Sequence, residues 1–173
     1  MKKYLFILFF ITYSTKAIAL NCDLQKFQIG KDISYFKKET EIFILGKINE
    51  DIDILTFPIE FVCENSIIRG TFISLFFYKN KTIRIIYENI IQKNKPLFKL
   101  ANENYKIGFK ENRKIIDANE PEQYAKEKNG VYYLYANIKG INENKGNFFE
   151  IFEIVDKKHE EIMNKESLEL ETQ

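Results

Sequence analysis

The sequence predicts an α+β fold: an antiparallel β-sheet built from hairpins, with short helices packed on one face and one disulfide bond. Three observations carry that expectation. Thr71 to Tyr78 and Thr82 to Tyr87 are β-branched and aromatic runs parted only by Lys79-Asn80-Lys81. Val131 to Ile138 and Asn147 to Val155 form a second such pair around Gly140 to Gly146. Asn94 to Tyr105 carries its apolar residues at helical spacing behind Pro96.

The chain opens Met1-Lys2-Lys3, continues through the apolar stretch Tyr4 to Ile11, and relaxes into Thr12 to Ala19. A positive start, a short apolar run and the small-x-small exit Ala17-Ile18-Ala19 are what export machinery and signal peptidase read. Residues 1–19 are therefore expected to be a cleaved signal peptide, with Leu20 starting the mature chain. Lys16 ends the apolar stretch short of the roughly 18 residues a membrane span needs, so no transmembrane segment is expected in the mature chain. Lipidation of Cys22 competes with this reading, but it requires a small residue directly before the cysteine, and Asn21 stands there. The expected product is a secreted protein, periplasmic or extracellular. It comprises a single domain over 20–170 and a frayed tail over 171–173.

Losing the leader's three lysines turns 26 basic against 25 acidic residues into 23 against 25, a net charge of −2. Such a domain lacks the basic footprint that nucleic acid selects. About 154 residues suit one domain that buries roughly two thirds of its unfolded surface. Sixteen Phe and ten Tyr supply the apolar payload, while three Pro and seven Gly leave little material for linkers. The bias towards Lys, Asn, Ile, Phe and Tyr, with only three Arg and no Trp, is what an AT-rich genome encodes. Both cysteines, Cys22 and Cys63, remain after cleavage, and an oxidising compartment makes a bond between them the expected state.

In chain order, Asp32 is placed to cap a short helix carrying Ile33 and Phe36 on one face. Ile42 to Ile48 reads as a strand, and Ile52 to Cys63 as another, with Pro58 arguing for an edge position. The first hairpin follows. Pro96 is pre-set for the first turn of the next helix, which buries Leu97, Leu100, Ala101 and Tyr105 and stops near Gly108. Pro121 to Lys128 reads as a second Pro-led helix ending at Asn129-Gly130, ahead of the second hairpin. Asp156 to about Leu168 closes the chain as a helix with few residues to bury. The plan is loosely similar to small envelope proteins of the outer-membrane-assembly lipoprotein and β-lactamase-inhibitor type. The shared features are Ile29-Gly30 ahead of a short helix and the strand order, which define no membership.

No motif calls for a cofactor, and no catalytic residue is assigned. His159, the single histidine, lies in a lysine- and glutamate-rich stretch that reads as surface. It and two distant cysteines are too few for a metal site. Glu150 and Glu153 fall on opposite faces of a strand and cannot act as a pair. Tyr133 and Tyr135 share one strand face, a possible binding face for a sugar, peptide or protein. Asn80-Lys81-Thr82 is an N-glycosylation triplet at a hairpin turn, relevant in a eukaryotic host.

The function expected from these features is an extracytoplasmic, non-catalytic binding or structural module. It would meet a protein or another envelope component through its sheet face or edge. The alternatives are a hydrolase-like secreted enzyme and a secreted protein that acts on a host.

Overall fold

The computed structural model describes residues 24–37, 44–63, 68–91, 95–110, 122–139 and 148–162. The expected signal peptide with Ala17, Ala19 and Leu20, and Cys22 of the expected bond, lie outside the described residues. So does the tail beyond Ile162.

Seven antiparallel strands form one sheet in the order β1-β2-β3-β4-β7-β6-β5. The first meander comprises β1 (Ile44–Lys47), β2 (Ile52–Pro58), β3 (Phe72–Tyr78) and β4 (Lys81–Ile91). A helix, α2 (Pro96–Glu103), leads over to the second meander of β5 (Glu122–Lys128), β6 (Val131–Lys139) and β7 (Phe148–Asp156). The meanders meet where β4 pairs β7, from Arg84 opposite Val155 to Ile91 opposite Phe148. A short helix, α1 (Ile33–Lys37), precedes the sheet. The mostly antiparallel architecture with a few short helices is the expected class.

Both tight hairpin turns use left-handed backbone. Lys79 and Asn80 have φ of 48° and 64°, and Asn129 and Gly130 have 55° and 74°. Paired positive φ values are the mark of the two-residue turn that matches strand twist, and Asn and Gly tolerate them best. At α1, Asp32 Oδ1 accepts from Ser34 N at 3.0 Å, while Ile33 and Phe36 are buried. Pro96 stands in the first turn of α2, and Leu97, Leu100 and Ala101 are fully buried. Each large side chain sealed in this way contributes about 1.5–3 kcal/mol.

The segment Pro121 to Lys128, expected as a helix, is instead the strand β5. Its Gln, Ala, Lys and Glu favour a helix locally, but Glu122 through Lys128 pair residue by residue with β6 down to the Asn129-Gly130 turn. Tertiary pairing overrides propensity here, and Tyr124 gains a place among the core rings. Pro58 is not on an edge strand either, because β2 lies between β1 and β3. It is tolerated because Ile59 N, its neighbour, donates towards β3 at Thr71 O, so Pro58 faces the opposite side. There the described part of β1 reaches only to Ile44, opposite Thr56. The C-terminal helix is seen only as a 3-10 turn over Lys157–His159 and a first helical turn up to Ile162; Asp156 caps it by accepting from Lys158 N.

Alternation along the strands divides the sheet into two unequal faces. The helices and the N-terminal segment cover one, enclosing a core that includes Leu24, Phe57, Cys63, Leu75, Tyr87, Leu100 and Phe152. On the other face Ile162 packs with Ile52, Phe76 and Ile83 in a small cluster near the β3–β4 turn. A β-bulge at Phe76/Phe77 brings Ile83 to that cluster.

Candidate functional site: an open sheet face and a sealed carboxyl

Away from Ile162 no described residue covers the second face. Its strand register lines up three rows: Phe72, Glu88, Ile151 and Ala136; Ile90, Phe149 and Ile138; and Ile86, Glu153 and Leu134. Phe72 is 49% exposed, Ile90 60%, Leu134 37% and Ile138 39%, so four of the large apolar side chains most open to water share this face. Two shallow depressions meet at Ile151: one of about 310 Å³ at Phe72 and Ile90, and one of about 380 Å³ at Ala125 and Leu134. Within the patch, Arg84 neutralises Glu153 by an ion pair. Glu88 is exposed and has no ion-pair partner among the described residues. A contiguous apolar patch of this kind is what a soluble domain retains for contact with another surface.

The covered face holds a buried carboxyl. Glu150 is fully buried on β7, in lateral register with Asn89 on β4 and Asn137 on β6. Its Oε1 accepts from Phe98 N in the first turn of α2 at 2.9 Å and from the Tyr135 hydroxyl at 2.8 Å. The carboxyl therefore caps the helix and ties it to the sheet. Burial pushes its pKa above the ordinary carboxylate value, against the pull of the donors at Leu97, Phe98 and Tyr135. Burial raises the Tyr135 hydroxyl too, and the adjacent Glu150 adds to the shift. Among the described residues Glu150 Oε2 is buried without a hydrogen-bond partner, as is Asn137 Oδ1. A protonated carboxyl suits this environment.

A raised pKa means that the folded state holds this proton more tightly than the unfolded chain. The resulting stability is complete below about pH 4.5, the unperturbed value, and is lost as pH rises through the higher folded-state value. Glu150→Gln keeps an acceptor oxygen but cannot ionise. Urea midpoints at pH 5 and pH 8 are expected to fall for the native protein and to change less for Glu150→Gln. Glu150→Ala leaves Phe98 N and the Tyr135 hydroxyl without their acceptor and is expected to cost about 2 kcal/mol.

The structure separates the two tyrosines predicted as a binding face. Both project to the covered side of β6, where Tyr135 is buried against Phe98, Tyr124 and Phe109. Tyr133 is half-buried and lines a cleft of about 470 Å³ with Tyr105 and Lys128. Asn80 is exposed at its turn, whereas Thr82 of the same triplet is buried with its hydroxyl donating to Lys31 O at 3.0 Å. Cys63 is buried in the core. His159 Nδ1 lies 2.8 Å from Asp156 Oδ2, beside the Tyr78 ring. Glu150 and Glu153 do point to opposite faces, one sealed in the core and one paired with Arg84.

Two features escaped the sequence reading although the alternation contained them. Glu150 has the same parity as Phe148, Phe152 and Ile154, which marks it as core-facing. In β7 the other parity, Phe149, Ile151 and Val155, is apolar as well, and β3 repeats the pattern with Phe72 and Phe76. The sheet is thus apolar on both faces, and the described helices cover only one.

Among the described residues no helix is long and apolar enough to cross a membrane. No group of three metal-ligating side chains comes together among them. Compared with known proteins, the chain matches no protein-family model, no curated protein and no solved structure.

Proposed function

We propose that this protein is an exported, non-catalytic module that docks a partner protein of the envelope or extracellular space on its open sheet face. The observation that carries the reading is the exposure of Phe72, Ile90, Leu134 and Ile138 on one uncovered face. An apolar centre in which Glu88 is, among the described residues, the acid without an ion-pair partner favours a partner that is apolar at its middle and carries a basic side chain opposite Glu88. The Ala17-Ile18-Ala19 exit behind a short apolar run supports export. Non-catalytic use is supported by Glu150, whose carboxyl is 0% exposed and engaged by Phe98 N and the Tyr135 hydroxyl.

Cys22 and Cys63 are proposed to be paired. The pairing is supported by Leu24, two residues beyond Cys22 in the sequence, which is buried in the same cluster as Cys63. The bond would fasten the start of the mature chain to the end of the β2 segment.

The double variant Ile90→Asp/Leu134→Asp tests the docking reading. Both side chains are solvent-facing, so the variant is expected to melt within a few degrees of the native protein. In gentle extracts of the producing cell, the native protein is expected to migrate in a complex larger than its own mass, and the variant as a free monomer. A native protein that is itself monomeric there, or a variant that stays in the complex, would overturn the reading.

A further inference from the structure

On the helix side of the sheet, opposite the docking face, the cleft at Tyr133 has the features of a small-ligand site. Its volume, about 470 Å³, is in the range of pockets that hold small organic molecules. Phe27 and Ile154 form a buried apolar floor, and Ile29 and Val131 are half-buried walls. Among the described residues no carboxylate side chain lines it, while Lys106 and Lys128 both do.

Three donors in this cleft are not committed elsewhere. Among the described residues Lys106 and Lys128 have no carboxylate partner, in contrast to Lys95 and Lys157, which pair with Glu122 and Glu127. Their neighbour Lys126 is occupied, donating to Ile107 O at 2.5 Å. The Tyr133 hydroxyl has its pKa raised by burial alone, with no hydrogen bond contributing.

The cleft is also held in shape. Tyr105, one wall, has its hydroxyl fixed by Leu24 O at 3.0 Å and by the Tyr87 hydroxyl at 2.5 Å. Gln25 Nε2 donates to Asn104 O at 2.9 Å, which ties the N-terminal segment to the loop after α2. Lys106 itself is kept at a φ of 53°, a left-handed conformation uncommon for lysine. Ile107 N bonding back to Ala101 O and Lys126 bonding to Ile107 O hold the loop on either side of it. A preformed site loses less entropy on binding than one that must be ordered.

We propose that this cleft binds a small carboxylate-bearing amphiphile, its apolar body over Phe27 and Ile154 and its carboxylate at Lys106 and Lys128. The Tyr133 hydroxyl is placed to donate to the same head group. The site lies on the opposite side of the sheet from the docking face, so neither proposal depends on the other.

Titration calorimetry of the exported, oxidised protein with octanoate, 3-phenylpropanoate, octanol and octylamine tests this. At least one of the two acids is expected to bind, and which one distinguishes an acyl body from an aromatic one. Octanol and octylamine are expected to bind at least tenfold more weakly, because they lack the charge that the lysines face. Lys106→Gln/Lys128→Gln is expected to weaken acid binding about tenfold and Tyr133→Phe less, with melting unchanged. Leu134→Asp, on the other face, is expected to leave acid binding as it is. No binding of either acid at 10 mM, roughly the weak limit for a preformed site, equal binding of the amine, or full affinity in the lysine variant would overturn the proposal.

Discussion

Phe152→Ala is expected to destabilise the domain by about 3–5 kcal/mol, the usual cost of removing a buried phenylalanine and leaving a cavity. Phe152 is 0% exposed on β7, the strand that joins the two meanders. Its ring stacks on Tyr87 at 5.8 Å and lies tilted against Tyr105 at 5.4 Å. Tyr105 in turn is bonded to the N-terminal segment at Leu24. One truncation therefore loosens β4, β7, the loop after α2 and the segment at Leu24 together. Phe72→Ala is the internal comparison, since the same residue type is removed from the open face, where its ring is 49% exposed. It is expected to cost less than about 1 kcal/mol. Urea unfolding of the two variants gives the contrast directly, and it shows whether the second face contributes to folding.

Reduction of the proposed Cys22–Cys63 bond is the second large effect. A loop of about 40 residues closed in the unfolded chain corresponds to roughly 4 kcal/mol in the chain-entropy description. The bond would also anchor Leu24, which carries the acceptor for Tyr105. Cys63→Ser, or the native protein in excess reductant, is expected to show a lower urea midpoint. A thiol count on the exported protein is expected to find none free before denaturation and reduction. Two free thiols in the oxidised sample would remove the bond and the stabilisation together.

How much of this was legible depended on how local the cause was. The β3–β4 hairpin follows from the Phe72 to Tyr78 run and a turn at Lys79-Asn80, all within a few residues, and the Pro96 helix start is equally local. β5 was not legible, because Glu122-Gln123-Tyr124-Ala125-Lys126 has helical propensity and only the β6 partner makes it a strand. The junction of β4 with β7 joins residues about 60 apart in sequence, and no local pattern specifies it. The site divides in the same way. Tyr133 and Tyr135 share one face of β6 by strand alternation, but which face the helices cover is a property of the whole sheet. That choice seals Tyr135 in the core and leaves Tyr133 at a cleft. The open apolar face is, among the described residues, a surplus of apolar strand residues over helices to cover them, visible only once those helices are set against the seven strands.

Site-specific photo-crosslinking in the producing cell tests the docking face most directly. A photoreactive residue is placed singly at Ile90 or Leu134 on the open face, and at Lys99 on α2 or Lys158 beyond β7 as solvent-facing controls. Ile90 and Leu134 are predicted to give one discrete protein adduct of the same mass, lost when Glu88→Lys or Phe72→Asp is added, with none from the controls. Equal adducts at the controls, or none from the open face in a protein confirmed to be exported, would contradict the account.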